Sequence, residues 1–329
     1  MIVNPGFGGA DGKSAYQYAV EGGYAGSEAE FQALLGSGPW LPVKNYSNPN
    51  LLDNWYFPDP VNQRGMTEYT QRGYTVDRWF AYITDNIDDK ISITNHGLHF
   101  HRADESDGSR FSFNQNLDPW DKYAGMTFTV SFLTTENLYA ASFTVPDTKP
   151  AGEVYQILKQ TELGMIVVGS WNELDALSVG LNKMNASILD FTLVAAKLEL
   201  GVRQTLAHQD ADGNWVLNDP PPNKALEEMK CRRYYFPGPA QGTLTYWSES
   251  HLGFMFPTGV TMRDNPSIPH IDVYTKNDIL QEGFIITNAE ARSGQVLVVV
   301  KKDNHGFAEG SHMIGWINQN LGFSAEIEG

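Results

Sequence analysis

Between about residues 44 and 205 the chain breaks into short segments rich in β-branched and aromatic residues, set apart by turn formers. Thr75–Thr84, Lys90–Asn95, Leu98–Arg102, Arg110–Asn114, Met126–Thr134 and Ala140–Val145 are the clearest. Glu153–Leu158, Met165–Val168, Ala176–Leu181 and Ile188–Leu200 continue the series. Side chains of this shape fit a pleated, half-buried surface better than a helix. Asn95-His96-Gly97 and Asp107-Gly108 offer tight connections between neighbours. Many short strands at such spacing close into a sandwich or a barrel. Ahead of them, Pro58 and Pro60 exclude an ordinary helix.

The period returns over residues 240–329, in Thr243–Trp247, Gly253–Phe256, His270–Tyr274, Gly283–Thr287, Gln295–Lys301, His312–Trp316 and Phe323–Ile327. Gln295-Val296-Leu297-Val298-Val299-Val300 is apolar almost throughout, which predicts a strand buried on both faces. So small a module with such a strand is expected to complete its core with other subunits. Residues 206–239 read as a connector. Asp212-Gly213 turns a hairpin, Pro220-Pro221-Pro222 breaks regular structure, and Asn223 to Tyr234 forms a helix. In that helix Ala225, Leu226 and Met229 share a face, and Glu228 can pair with Arg232. Residues 1–43 form a small helical unit. Ser14 to Glu21 is a helix stopped by Gly22-Gly23, and Ser27-Glu28-Ala29-Glu30 is a capping box before Phe31, Leu34 and Leu35. Two short helices bury little area, so this unit is expected to dock on a neighbour or another subunit. Gly12-Lys13-Ser14 is not a phosphate loop, because Phe7 stands where the pattern needs glycine and no strand precedes it.

Composition narrows the function classes. With 41% hydrophobic and 19% charged residues, the chain is globular rather than disordered. No run approaches the ~18 apolar residues of a membrane span, so no membrane insertion is expected. The opening Met1-Ile-Val-Asn-Pro-Gly lacks the basic and apolar regions of a secretory signal, and Cys231 is the only cysteine. Both fit folding in a reducing cytosol. A net charge of −16 repels polyanions, which argues against nucleic acid as a partner.

Leu51-Leu52-Asp53-Asn54-Trp55-Tyr56-Phe57-Pro58-Asp59-Pro60-Val61-Asn62-Gln63-Arg64-Gly65, answered by Gly73-Tyr74-Thr75-Val76-Asp77-Arg78-Trp79, resembles the opening of tail-fibre and tail-tip proteins carried by phages and prophages of gut Firmicutes. In that family the segment begins a β-sandwich similar to carbohydrate-binding modules. Phe191 to Gly201 looks like the closing strand of carbohydrate-binding jelly rolls, so the resemblance covers both ends of the domain. Gly12 to Tyr16 with Gly26 to Phe31 looks like a motif that links or caps modules in phage tail proteins, and Asn223 to Tyr235 is similar to the join before their C-terminal β module. Phe256-Pro257 and Met262-Arg263, followed by Pro266, match that module loosely. The resemblance implies a mainly β chain: a helical N-terminal unit (1–43), a jelly-roll β-sandwich (44–205), a connector (206–239) and a C-terminal β module (240–329). It implies a virion tail appendage, made in a bacterial cytosol, that binds bacterial surface glycan, contacts other tail proteins and forms a homotrimer. The alternatives are a structural virion subunit without glycan binding, and a non-catalytic module of a glycan-processing enzyme.

Sugars have apolar C–H faces and polar edges, so their sites combine aromatic rings with Asp, Asn, Arg and His. Trp120 in Leu117-Asp118-Pro119-Trp120-Asp121, and Trp171 in Gly169-Ser170-Trp171-Asn172, stand in loop-like polar surroundings. Trp120, Asp118, Trp171, Asn172, His99, His101 and Arg110 are therefore the candidate carbohydrate ligands. Trp55, Tyr56, Arg78 and Trp79 are expected to plug one end of the sandwich instead. His96, His99 and His101 form the densest cluster of potential metal ligands, with His99 and His101 on one strand face. Asp104, Glu105 and Asp107 lie close in sequence, but no second ligand group can be placed without the fold, so no metal site is assigned. Oxygen-rich turns at Asp85–Asp89, Asp104–Asp107 and Asp210–Asn214 admit structural calcium without matching a helix–loop–helix site. No nucleophile elbow is present and no carboxylate pair can be placed in a cleft, so no catalysis is expected.

Overall fold

The computed structural model describes residues 14–31, 47–83, 89–102, 111–149, 154–161, 164–170, 175–182, 189–275, 279–307, 312–318 and 321–326. Two compact units divide the chain, Met1–Ser47 and Asn48–Gly329. The expectations at Leu34, Leu35 and Asp107-Gly108 lie outside the described residues. In the first unit, helix α1 (Ala15–Glu21) ends at Gly23, whose φ of +98° suits glycine. The capping box forms: Ser27 N donates to Glu30 Oε2 at 2.7 Å, and Glu30 N donates to Ser27 Oγ at 3.3 Å. Tyr16, Tyr24 and Phe31 pack ring against ring with centroids 5.4–6.4 Å apart.

The second unit begins with two six-stranded antiparallel sheets. One runs in the order β1 (Glu68–Tyr69), β4 (Lys90–Thr94), β5 (Gly97–Arg102), β12 (Leu189–Leu200), β7 (Thr127–Thr134), β8 (Leu138–Thr144). The other runs β2 (Gly73–Tyr74), β3 (Phe80–Ile83), β6 (Phe111–Leu117), β11 (Leu177–Asn182), β10 (Gly164–Ser170), β9 (Val154–Thr161). Their inward side chains make one core, in which Trp79 stacks on Phe113 (4.6 Å between centroids, planes 5° apart) and Phe100 meets Phe113 edge-on. The fold is thus the mainly β sandwich expected. Strand β12 lies between β5 and β7, while β7–β8 form a hairpin in the first sheet and β9–β10–β11 a meander in the second. At the β4–β5 turn a Cβ on Gly97 would stand 2.1 Å from the Leu193 carbonyl oxygen, and its φ is +140°. Only glycine fits there.

Thr75–Thr84 was expected as one strand, and the structure corrects this. The chain is extended at β2 and again at β3, with a turn between them in which Thr75 N donates to Trp79 O and Trp79 N to Val76 O. Arg78 sits in that turn at φ +73°, a conformation that stops a strand.

The connector contains the hairpin β13 (Ala207–Gln209) and β14 (Trp215–Leu217), then helix α2 (Lys224–Cys231), capped by Asn223 Oδ1. The expected apolar face is inverted: Leu226 and Met229 are 59% and 52% exposed, while Glu227 and Cys231 are buried. Glu227 is drawn inward because its Oε2 accepts the buried Asn54 N–H at 2.8 Å and its Oε1 pairs with Lys230. The Glu228–Arg232 pair forms as expected, at 2.6 Å.

The C-terminal part is a seven-stranded antiparallel sheet in the order β19 (Leu280–Gln281), β18 (Asp272–Thr275), β22 (Met313–Ile317), β16 (Ala240–Trp247), β17 (His251–Pro257), β21 (Gln295–Lys301), β20 (Ile285–Arg292). A small ladder of β15 (Tyr235–Pro237) and β23 (Gly322–Ser324) accompanies it. Strand β21 corrects the prediction of burial on both faces. Val296, Val298 and Val300 are fully buried beside Phe256, Phe254 and Leu252, but Leu297 and Val299 on the other face are only half-buried. Although the sandwich (44–205), the connector and the C-terminal sheet read separately in the sequence, the chain from Asn48 onward packs as one unit.

Candidate functional site

The aromatic opening motif is a buried plug. Asn54 adopts φ +52° and points its amide inward, where Nδ2 donates to the carbonyls of Val61 and Asp77 and Oδ1 accepts from Val61 N. Its own carbonyl accepts from Trp79 Nε1 at 3.0 Å. Asparagine tolerates this left-handed backbone better than most residues. Trp55, Arg78 and Trp79 are buried, in line with the plug reading, and Tyr56 is half-buried.

Around the plug lies a network of charges that joins the sandwich to the C-terminal part. Arg78 contacts Asp53 (3.4 Å) and Glu326 (3.2 Å), donates to Asn116 O at 2.8 Å, and lies 3.3 Å above the Tyr234 ring. Burial alone would lower its pKa, but Glu326, Tyr234 and Asp53 outweigh it and hold the guanidinium charged. Arg64 pairs with Asp77 (3.1 Å) and Glu326 (3.4 Å). Burial pushes the Asp77 carboxyl up to about 6, against the opposing pull of Arg64 and of the Gln63 N–H.

Directly on this network opens a cleft of ≈ 520 Å³. Arg64, Arg72, Tyr74 and Phe80 line it from the sandwich, and Tyr235, Pro269 and neighbouring residues line it from the C-terminal part. Arg64 spans the two sides, its guanidinium 3.9 Å from the Tyr235 ring centroid and 5.1 Å from that of Tyr74. Arg72 lies over Phe80 (5.6 Å) and Tyr82 (5.2 Å), and Tyr74 meets Phe80 edge-on at 5.3 Å. Ion pairs to two buried carboxylates fix Arg64, so the aromatic walls are held by a rigid base. Burial raises the Tyr235 phenol, which keeps it a neutral donor and acceptor. Such an arrangement can grip a flat, polyhydroxylated molecule between rings and guanidinium forks.

The sequence-predicted ligands fare differently. Trp120 is corrected: it is 2% exposed in a 3₁₀ turn, its Nε1 donating to Pro146 O at 3.3 Å, so it has no free face for a sugar. Asp118 is half-buried, and its Oδ2 accepts from Arg263 Nε at 2.5 Å. Trp171, Asn172 and Arg110 lie outside the described residues. His99 and His101 do come together on the outward face of β5, and Asp190 joins them from β12. The polar row Asn114, Asn116 and Ser178 on the second sheet is buried, with Asn114 Nδ2 donating to the other two side chains. Of the calcium candidates, Asp89 is held by Arg102 through both oxygens, and Asp210 accepts the N–H groups of Asp212 and Asn214. Asp85 and Asp104–Asp107 lie outside the described residues. Cys231 is buried, and burial pushes its thiol far above the range in which thiolates form.

Reasoning from sequence missed Arg64, Arg72, Tyr74, Phe80 and Tyr235 as a group. Arg64 and Tyr74 lie inside the aromatic opening motif, but their meeting with Tyr235 spans about half the chain. No protein-family model, curated protein or solved structure matches this chain.

Proposed function

We propose that the protein is a non-catalytic phage or prophage tail appendage that binds bacterial surface carbohydrate in the cleft between the sandwich and the C-terminal sheet. The cleft itself carries this reading: three aromatic rings and two arginines converge on one opening. It replaces the Trp120 region as the expected place of contact. Small polar sites of this kind bind in the micromolar to millimolar range, roughly −4 to −8 kcal/mol. A screen of host wall and capsule glycans, followed by calorimetry, tests it. Arg72→Ala and Tyr74→Ala are each expected to weaken binding by about tenfold or more, about 1.4 kcal/mol, with little change in melting temperature. Absence of binding to every host glycan by the folded protein would remove the reading.

A second reading, a structural subunit that assembles with copies of itself, is supported by the outer face of the seven-stranded sheet. Tyr274, Ile314 and Trp316 line a shallow depression of ≈ 270 Å³ there, and Tyr246 and Ile285 are 51% and 63% exposed. Apolar surface of this kind marks an interface. A trimer is the assembly that the phage-tail resemblance implies. Light scattering at micromolar concentration is expected to give a multiple of 36.6 kDa. A clean monomer would leave that face without the role proposed for it.

A further inference from the structure

We propose that His99, His101 and Asp190 form a binding site for a divalent first-row transition metal, with zinc the best match, on the outward face of the first sheet. The site shares no residue with the cleft and does not depend on the glycan reading.

Strand geometry assembles it. His99 and His101 are two apart on β5 and point to the same side, their ring centroids 6.3 Å apart. Asp190 on β12 is the direct cross-strand partner of His101, and Thr192 that of His99. One ligand atom from each of His99, His101 and Asp190 lies within 4.8 Å of the others. His99 Nε2 stands 3.4 Å from Asp190 Oδ1. Two donors bound tetrahedrally to one zinc at about 2.1 Å lie about 3.4 Å apart, so this pair is already spaced to share an ion. His101 is half-buried and Asp190 exposed.

The other side of His99 is prepared as well. Its Nδ1 is 3.3 Å from Thr192 Oγ1. When that nitrogen carries the proton and donates to the hydroxyl, the Nε2 lone pair faces Asp190, which is how metal-bound imidazoles are oriented. Nearby on the same face, Lys90 lies opposite His101, but its ammonium pairs with Glu68 at 3.2 Å. Two imidazoles and one carboxylate favour zinc and its neighbours over calcium or magnesium, which take oxygen. Three protein ligands leave a coordination position for water or for an oxygen of a bound molecule.

Titration of the metal-free full chain with Co²⁺, read by visible absorption, and with Zn²⁺, read by calorimetry, tests the site. Saturable uptake of a single ion per chain is expected, together with a rise in melting temperature from preferential binding to the folded state. His101→Gln and Asp190→Asn should each weaken uptake by about tenfold or more, and Thr192→Val by about tenfold through loss of the orienting hydroxyl. His208→Ala and His270→Ala should leave it unchanged. All of these side chains are at least partly exposed, and the melting curve of each metal-free variant shows whether it folds. Absence of saturable uptake, or uptake that persists in a folded His99→Gln/His101→Gln double variant, would overturn the assignment.

Discussion

Replacing Glu326 with alanine should lower the unfolding free energy by about 3–5 kcal/mol, the usual cost of breaking a buried ion pair by removing one side of it. Glu326 has a fully buried carboxylate that receives Arg78 at 3.2 Å and Arg64 at 3.4 Å. Both arginines belong to the plug of the sandwich, whereas Glu326 follows β23 at the far end of the chain. Truncation therefore removes one carboxylate from two cations at once, leaving Arg78 with Asp53 and Arg64 with Asp77, and loosens the seam between the two β regions. Urea denaturation reads the loss as a lower midpoint. Arg78→Ala removes the other half of the pair and the stacking on Tyr234, and a comparable loss is expected. If the two groups act as a pair, the double variant costs clearly less than the sum of the single ones. A Glu326→Ala variant within about 1 kcal/mol of the parent, the range of exposed ion pairs, would show that this seam does not hold the unit together. Because Arg64 also lines the cleft, the same variant is expected to weaken the glycan binding proposed for it, while Arg72→Ala leaves stability alone.

The Asp77→Asn variant is expected to gain stability relative to the parent as pH rises from about 4 to 7, by about 3 kcal/mol. The direction follows from burial, which raises the folded-state carboxyl from 3.8 to about 6 despite Arg64. Between those two values the folded protein keeps a proton that the unfolded chain has released. Unfolding then releases a proton, so stability contributed by this residue falls as pH rises through the window. About two pKa units at about 1.4 kcal/mol each give the magnitude. The asparagine does not titrate and lacks this dependence, so the difference between the two proteins isolates Asp77 from every other group. Denaturation at a series of pH values measures it. A parent that becomes more stable relative to the variant over the same window would mean that the Arg64 pairing outweighs burial.

The architecture was legible because its signals are local. Short runs of β-branched and aromatic residues between turn formers predict strands, and nearly all of those predicted are present within a few residues, from Lys90–Thr94 to Leu189–Leu200 and again from Gln295 to Lys301. Gly97, Gly23 and the capping box at Ser27 were equally readable, since each answers to the backbone conformation of its own neighbourhood. Errors arose where a distant residue decided the outcome. Thr75–Thr84 has strand composition throughout, yet Arg78 leaves the strand to reach Glu326, 248 positions away. Helix α2 carries an apolar stripe, yet Glu227 turns inward to serve the backbone N–H of Asn54, 173 positions away. Trp120 stands in polar sequence, yet the chain around it folds over its ring.

By itself, then, the sequence determined the mainly β class, the strand positions, the capped helices and an aromatic plug rather than an exposed aromatic patch. Tertiary structure alone decided which charges are buried together, which face of α2 looks inward, that Arg64, Tyr74 and Tyr235 wall one cleft, and that Asp190 completes a cluster with two histidines. The physical reason is range. Backbone preference and side-chain periodicity act over a few residues, whereas satisfying a buried polar group requires whichever partner the fold brings near, however far along the chain it lies.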